Sequence, residues 1–101
     1  MKWFWNWGGE CFGYQRGNSL FTHHGIEAGR FHGNEIYGAD GRYLGEVMND
    51  NRLIRHQAKE LYRQGAFTPA RAAAFISYAG YVGYVMYMGY EDFPSPDIFS
   101  G

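Results

Sequence analysis

Short apolar runs alternate with clusters of turn-forming residues through the first 56 positions of the chain. One such run covers residues 42–47, between Asp40-Gly41 and the Asn/Asp cluster at residues 49–51. Runs of this length, bounded by glycine, asparagine and aspartate, are typical of β-strands joined by tight turns. Asp-Gly is a strong hairpin signal, because the type I′ turn needs a positive φ at both of its central residues. The pattern therefore predicts a meander of roughly six short strands.

This pattern of strands and turns recurs three times with a period of 16 residues, over residues 5–20, 21–36 and a slightly longer 37–54. The residues that align between the copies are Trp5, Phe21 and Tyr37; Gly9, Gly25 and Gly41; Gly13, Gly29 and Gly45; and Asn18, Asn34 and Asp50. Glycine inside a strand usually marks a β-bulge or another backbone that passes close by, so we expect one of these at the third aligned position. Residues 1–56 are therefore predicted to form a repeated β-hairpin domain.

After this domain the pattern changes to one that favours helix. Residues 55–64 are rich in good helix formers and are followed by a glycine, a residue type that is common just after a helix C-terminus. Thr68-Pro69 then has the form of an N-cap followed by proline at the first helical position, and residues 70–77 continue it. We therefore predict one or two short C-terminal helices within a helical segment over residues 57–77.

Residues 78–101 are predicted to form a Tyr/Gly-rich interface segment followed by an extended, proline-containing tail. Tyrosine recurs at every third position, at Tyr78, Tyr81, Tyr84, Tyr87 and Tyr90. On an α-helix, steps of three residues drift by about 60° each, so these side chains would spread around the helix. A conformation with three residues per turn would align them, and an irregular packed segment is the alternative.

Charge and hydropathy exclude several classes of partner. The uncharged stretch over residues 72–90 has the length of a membrane span, but its five tyrosines and three glycines leave few lipophilic side chains, so no span is expected. A net charge of −1 gives no polybasic surface, and no nucleic-acid partner is expected. The N-terminus lacks the long apolar stretch of a secretory signal, and a single cysteine fits a reducing compartment, so the expected location is the cytoplasm.

Tryptophans at alternate positions near the N-terminus provide the candidate binding site. Trp3, Trp5 and Trp7 would share one face of a strand, where their rings could stack on a planar, nucleotide-like molecule. The candidate ligand-binding residues are Lys2, Trp3, Trp5, Trp7, Tyr14 and Arg16. A core or subunit contact is the alternative use of the same tryptophans, and no particular cofactor is indicated.

Neither a metal site nor a catalytic site is predicted. The histidines lack the paired spacing of zinc ligands, and no third orienting group accompanies Cys11 as a nucleophile. The acidic residues of the repeats are expected at solvated strand positions; they are Glu10, Glu27, Glu46 and Asp50. The sequence therefore argues against an enzyme.

Three stretches carry a resemblance to a known family. They are FTHHGIEAGRFHGNEIYGADGRYLGEVMNDNRLIR (residues 21–55), MKWFWNWGGECFGY (residues 1–14) and GYEDFPSP (residues 89–96). In these stretches the chain resembles the four-fold beta-flower family of small uncharacterised bacterial proteins. The resemblance implies a small β domain that assembles as a homotetramer around a four-fold axis. It transfers no catalytic residue, because the function of the family is not established.

Two functional expectations follow for this mainly β chain. A meander exposes unpaired edge strands, and assembly with copies of the same chain is one way to protect them. The first expectation is an oligomeric, non-catalytic module that binds a small-molecule or nucleotide-like ligand between subunits, with a coenzyme-A-type ligand as one candidate. The alternative is a structural scaffold that uses the Tyr/Gly-rich segment to contact a protein partner or a membrane surface.

Overall fold

The computed structural model describes residues 1–99, which form eight β-strands and two short 3-10 helices. The strands are β1 (Lys2–Asn6), β2 (Cys11–Arg16), β3 (Ser19–Thr22), β4 (Glu27–His32), β5 (Glu35–Tyr37), β6 (Tyr43–Met48), β7 (Arg52–His56) and β8 (Tyr90–Asp92). The 3-10 helices are Gln57–Lys59 and Pro96–Phe99. The prediction of a mainly β protein is confirmed.

The strands follow one another as a meander that closes into a seven-stranded barrel. Each strand is antiparallel to the next, and β1 also pairs in parallel with β7 through Trp5↔Arg52 and Asn6↔Leu53. The expectation of a meander with exposed edges is therefore wrong. Because closure gives every barrel strand a neighbour on both sides, edge protection does not require a second chain.

Asp92 extends the short seam between β1 and β7. Strand β8 pairs with the later residues of β7, and the Asp92 carboxylate at its end turns toward the end of β1. Its Oδ1 accepts the Trp7 N–H at 2.8 Å, and its Oδ2 accepts the Gly8 N–H at 2.8 Å. The C-terminal strand therefore stabilises the closure of the barrel.

One apolar side chain from each barrel strand fills the interior, at intervals of eight or nine residues. These side chains are Phe4, Phe12, Leu20, Ala28, Ile36, Leu44 and Leu53. Phe93, which follows β8, completes the cluster. Burial of a large apolar side chain contributes about 1.5–3 kcal/mol, so Ala28 is the position in this ring that contributes least.

A β-bulge interrupts the pairing of β1 with β2, of β3 with β4 and of β5 with β6. The register shifts lie between Phe4 and Trp5, between Leu20 and Phe21, and between Ile36 and Tyr37. Beside the first bulge, a Cβ added to Gly13 would lie 1.9 Å from the Phe21 carbonyl oxygen. Gly29 and Gly45 would meet neighbouring carbonyl oxygens at 2.7 and 2.5 Å. The prediction of a bulge with a close backbone at the aligned glycines Gly13, Gly29 and Gly45 is confirmed.

The predicted C-terminal helices are wrong. Within residues 57–77 the only helix of the described structure is the 3-10 turn Gln57–Lys59, and the start of the first predicted helix belongs to β7. Residues 61–89, which we call the strap, lie along the barrel surface outside any helix or strand, with isolated bridges at Arg63 and Arg71. Many of their backbone groups bond to barrel turns instead of to one another, and these tertiary bonds outweigh a weak helix propensity.

The C-terminal segment predicted over residues 78–101 contains more regular structure than expected. Its tail forms β8 and the 3-10 helix Pro96–Phe99 in place of a continuous extended chain. Residues 100–101 of that prediction lie outside the described residues. Among residues 1–99, no helix is long and apolar enough to cross a membrane.

Replacing Gly13 with alanine tests the bulge. Because the added Cβ would overlap the Phe21 carbonyl, we expect Gly13→Ala to lower the free energy of unfolding by about 1–3 kcal/mol or more. The control is Gly65→Ala, since a Cβ added to Gly65 meets no atom within 4 Å. Urea denaturation of both variants measures the difference, and equal stabilities would contradict the close approach.

Candidate functional site

The strap bonds to the turns that join β1 to β2, β3 to β4 and β5 to β6. Its first hydrogen bonds to each turn are Gln64 N–H to Gly41 O (2.9 Å), Ala72 N–H to Gly25 O (2.7 Å) and Tyr81 N–H to Gly9 O (2.9 Å). Each turn accepts a second hydrogen bond from the strap residue three positions later. These bonds are Phe67 N–H to Ala39 O (2.9 Å), Phe75 N–H to His23 O (2.7 Å) and Tyr84 N–H to Trp7 O (3.1 Å). The strap therefore meets the three turns in reverse chain order and at equivalent positions.

Backbone groups beside two of the bulges also bond to the strap. The Glu27 N–H donates to Ala70 O at 2.9 Å, and the Tyr43 N–H donates to Tyr62 O at 3.3 Å. A bulge disrupts the ladder of hydrogen bonds between neighbouring strands and leaves such groups free for another partner. The strap therefore supplies hydrogen-bond acceptors for backbone N–H groups that lie beside the bulges.

Side chains of the barrel donate hydrogen bonds to strap carbonyls. The pairs are Trp5 Nε1 to Ala79 O (3.0 Å), Trp7 Nε1 to Val85 O (3.1 Å), Tyr14 Oη to Ala73 O (2.7 Å) and Arg52 Nη2 to Val82 O (2.7 Å). A segment outside any helix or sheet needs partners of this kind, because a desolvated carbonyl without a donor is destabilising. The barrel thus holds the strap by side chains as well as by backbone.

The tyrosines of the strap turn toward the three tryptophans. The ring pairs are Trp5 with Tyr81 (centroids 4.1 Å apart, planes at 14°), Trp3 with Tyr78 (4.7 Å, 86°) and Trp7 with Tyr84 (4.8 Å, 54°). Stacked and edge-to-face pairs of this kind each contribute about 0.5–1.5 kcal/mol beyond burial. Because the partners are every third residue, these tyrosines lie on one side of the strap.

Glycine occupies the strap positions that lie against the barrel backbone. A Cβ added to Gly80 would lie 2.9 Å from the Gly9 carbonyl oxygen, and one added to Gly83 would lie 2.8 Å from the Gly8 carbonyl oxygen. Any larger residue at these positions would move the strap away from the turn. The tyrosines at every third position therefore face the barrel from one side of the strap, and Gly80 and Gly83 face it from another.

The third set of strap residues, which follows the same three-residue spacing, faces solvent. Ile76, Val82, Val85 and Met88 expose 96%, 85%, 88% and 99% of their surface. We call these four residues the outward stripe. Monomeric proteins rarely leave large contiguous apolar surfaces uncovered, and such surfaces mark sites of interaction. The outward stripe is therefore the candidate functional surface.

Most of the aromatic residues predicted to bind a ligand lie under the strap. Trp5, Trp7 and Tyr14 are buried, and Trp3 is half-buried. The ring faces that the sequence offers to a ligand are thus in contact with tyrosines of the same chain. Ligand binding by these residues stays a prediction.

The two predicted cationic residues differ in their surroundings. Lys2 Nζ lies 2.9 Å from Asp50 Oδ1 in an exposed ion pair. Arg16 is exposed at the end of β2 and lies near Tyr14. Burial raises the pKa of Tyr14, and the nearby Arg16 charge offsets only part of that effect. Arg16 is therefore close to the aromatic cluster, whereas the charge of Lys2 is already paired.

The surroundings of Cys11 and His24 favour neither nucleophilic catalysis nor metal binding. Cys11 is buried, and its burial raises the pKa of the thiol, which disfavours the nucleophilic thiolate. His24 Nε2 lies 3.4 Å from Asp97 Oδ1 at the surface. In the part of the chain that the structure describes, no three His, Cys, Asp or Glu side chains converge to hold a metal ion.

Glu27 is buried rather than solvated, which corrects the prediction for this position. Its Oε1 accepts the Ala70 N–H at 2.9 Å, and its Oε2 accepts Ser19 Oγ–H at 2.5 Å and Arg30 Nε–H at 3.0 Å. Burial disfavours the charge, but these hydrogen bonds outweigh burial and lower the pKa of the carboxyl. The partner that explains the burial belongs to the strap, which the repeat pattern cannot reveal.

Lys59 joins two carboxylates on neighbouring strands. Its Nζ lies 2.8 Å from both Glu35 Oε2 and Glu46 Oε1, which are opposite each other on β5 and β6. Tyr37 Oη donates to Glu35 at 2.8 Å, and Tyr43 Oη donates to Glu46 at 2.7 Å. The network clamps the end of the barrel just before the strap begins.

Mutual pairing fixes the charges of this network. The Lys59 ammonium, which donates to Glu35, holds the pKa of that carboxyl below its usual value. Burial opposes the charge of Lys59, but the two carboxylates outweigh burial and raise its pKa. Burial, together with the bond to Glu35, raises the pKa of Tyr37 to about 12. Lys59 therefore remains a protonated structural cation at neutral pH.

Two hollows lie between the strap and the barrel. The larger, of about 530 Å³, lies over Ala28, where strap residues 69–71, the turn at residues 38–40 and Phe99 meet. The smaller, of about 390 Å³, is lined by Trp3, Trp5, Tyr78, Ala79 and Tyr81. Both volumes fall in the range of about 300–1,000 Å³ that is typical of small-molecule sites.

No family model, curated protein or solved structure matches the chain. The resemblance to the four-fold beta-flower family therefore stays a prediction.

Lys59→Met tests the charge network. At pH 7 we expect it to lower the free energy of unfolding by about 1–3 kcal/mol, between the values for exposed and buried pairs. The pKa of Glu35 is lowered by folding, so its contribution is present above the unfolded pKa of about 4.3 and is lost as the pH falls through the folded value. Urea denaturation at pH 7 and pH 3 should therefore show a difference from wild type that shrinks in acid.

Lys2→Met is the matched control, because the Lys2–Asp50 pair has side chains that are 45% and 85% exposed. We expect it to change stability by less than about 1 kcal/mol. Equal effects of the two lysine substitutions at pH 7 would contradict a stabilising role for the network.

Proposed function

We propose that this protein is a non-catalytic, self-assembling interaction protein, in which the barrel holds the strap and the outward stripe contacts a second copy of the chain. The observation that carries the proposal is the nearly complete exposure of Ile76, Val82, Val85 and Met88. These side chains are held outward by a backbone that is bonded to the barrel on its inner sides. Their exposure is therefore a fixed feature of the fold.

The apolar surface exposed on the strap supports an interface. Ten large apolar or aromatic side chains between residues 75 and 88 are at least 39% exposed. The tyrosines of this set face the tryptophans, so the interface that we propose is centred on the four residues of the outward stripe. Exposed apolar side chains that lie together on a protein surface mark sites of interaction.

A second copy of the same chain is the occupant that the charges favour. The net charge of −1 means that copies repel one another little, and the outward stripe carries no charge that would select an oppositely charged partner. The resemblance to the four-fold beta-flower family supplies the number of copies, four around a four-fold axis. We expect the assembly in the bacterial cytoplasm, where the single cysteine stays reduced.

Charge introduced into the outward stripe tests the assembly. We expect the wild-type protein to have four times the chain mass by native mass spectrometry and by sedimentation at micromolar concentration. The double variant Val82→Asp/Val85→Asp should be a folded monomer, because buried unpaired carboxylates oppose association. The carbonyls of these two residues remain held by Arg52 and Trp7, so the circular dichroism spectrum should not change.

Leu61→Asp is the control, because Leu61 is 82% exposed but lies at the far end of the strap. This variant should retain the wild-type mass. A wild-type monomer, or an assembly that survives the double substitution, would overturn the proposal and favour a different protein partner for the stripe.

The smaller hollow favours a second candidate function, the binding of a planar or nucleotide-like ligand between subunits. It lies beside the half-buried Trp3, and a neighbouring subunit on the outward stripe would enclose it further. Trp5 is buried against Tyr81, whereas Trp3 contacts Tyr78 but is only half-buried, so a ligand would contact the exposed part of the Trp3 ring. In the same native mass spectrum, extra mass that disappears on denaturation would support this function, and a bare assembly would count against it.

A further inference from the structure

We propose that the larger hollow, over Ala28, binds a small amphipathic carboxylate, with its apolar body against the barrel and its carboxylate on Arg71. This site is separate from the hollow beside Trp3 and does not depend on the proposed assembly. Its walls are shared by the strap, the barrel and Phe99, and its ligand class follows from the charges at its rim.

The hollow lies over the smallest member of the core ring. Six of the seven ring positions carry phenylalanine, leucine or isoleucine, and the seventh carries Ala28. Phe99, from the C-terminal 3-10 helix, packs against the core at this point but leaves a cavity of about 530 Å³. A concave surface of this size with mainly apolar walls can bury the apolar body of a small ligand.

The walls of the hollow are mainly apolar. The side chains that contribute are Ile26, Ala28, Leu44, Pro69 and Phe99. Pro69 belongs to the strap, which spans this part of the barrel between its bonds to two neighbouring turns. A ligand would therefore be held between the strap and the barrel by burial of its apolar body, at roughly 25 cal/mol per Å².

Three charged residues lie at the hollow, and two of them are already engaged. Both oxygens of Glu27 accept hydrogen bonds, from Ala70, Ser19 and Arg30. Asp40 accepts the Arg42 N–H at 3.0 Å and lies 3.5 Å from the Arg42 guanidinium.

Arg71 is the remaining charge. Within residues 1–99, its guanidinium makes no ion pair and no side-chain hydrogen bond, although its backbone is fixed by the bridge to Ile26. A planar guanidinium matches the two oxygens of a carboxylate, and hydrogen bonds between charged groups are the strong ones. The combination of an apolar cavity and one free guanidinium therefore selects an amphipathic anion with a single compact charge.

Decanoate, decan-1-ol and decylamine provide a matched set of probes for the full chain. Isothermal titration below the concentration at which these probes aggregate should give tighter binding for decanoate than for either of the others, by about tenfold, as expected for one charge-assisted hydrogen bond. Arg71→Gln should remove that preference while leaving the affinity for decan-1-ol unchanged.

Filling the cavity provides the second arm of the test. Ala28→Leu should narrow the hollow and weaken the binding of decanoate and decan-1-ol, since leucine is already accepted at equivalent ring positions. Ala70→Leu fills the same hollow from the exposed strap and should do the same if Ala28→Leu does not fold. Val82→Asp/Val85→Asp should retain binding, which separates the cavity from the outward stripe.

Three results would overturn the proposal. One is no binding of decanoate by the wild-type protein at millimolar concentration. Another is binding of decylamine as tight as that of decanoate, which would show that the carboxylates of the rim, and not Arg71, contact the charged end of the ligand. The third is an affinity for decanoate that is unchanged in both Ala28→Leu and Ala70→Leu, which would place the ligand elsewhere on the surface.

Discussion

An extra residue in every second strand is the constraint on which this structure depends. The bulges place Phe12, Ala28 and Leu44 inside the barrel next to glycines that allow the neighbouring backbone to approach. Bulged strands bend and twist more strongly than regular ones, which helps a meander to curve until its first and last barrel strands meet. The same bulges free backbone groups at Glu27 and Tyr43, and these groups bond to the strap. Closure of the barrel and attachment of the strap therefore share one cause.

The strap divides its residues among three tasks. Tyrosines contact the tryptophans, glycines permit close approach to the turns, and aliphatic residues remain in solvent. The tyrosines are about half-exposed beside the tryptophans, whereas the aliphatic residues are almost fully exposed. The proposed association depends on this aliphatic side of the strap. The hollow over Ala28 is a separate feature, which lies where strap residues 69–71, the turn at residues 38–40 and Phe99 meet.

Local chemistry explains which features could be predicted. Gly41, with a φ of 85°, and the strand glycines mark turns and bulges through their own backbone requirements, so the positions of both could be predicted. The type I′ turn predicted at Asp40-Gly41 is wrong, because Asp40 has no positive φ and the turn closes through the Gly41 N–H to Gly38 O at 2.9 Å. The parallel pair Trp5↔Arg52 joins residues that are far apart in the chain. No local sequence signal accompanies such a pair, so closure of the barrel could not be predicted. The alternation of the tryptophans predicted a shared face, but the strap that covers it could not be deduced from that alternation. Likewise, Glu35 and Glu46 become neighbours of Lys59 only once the register of β5 and β6 is known.

Amide hydrogen exchange measured by NMR tests the strap most directly. The account predicts slow exchange for the amides of Gln64, Ala72 and Tyr81, which donate to the three turns. The amides of Val82 and Val85, which donate to no group among residues 1–99, should exchange much faster than these. Alternation of slow and fast amides would support an extended strap held at intervals. A continuous block of slow exchange over residues 70–77 would indicate a helix and would contradict the account.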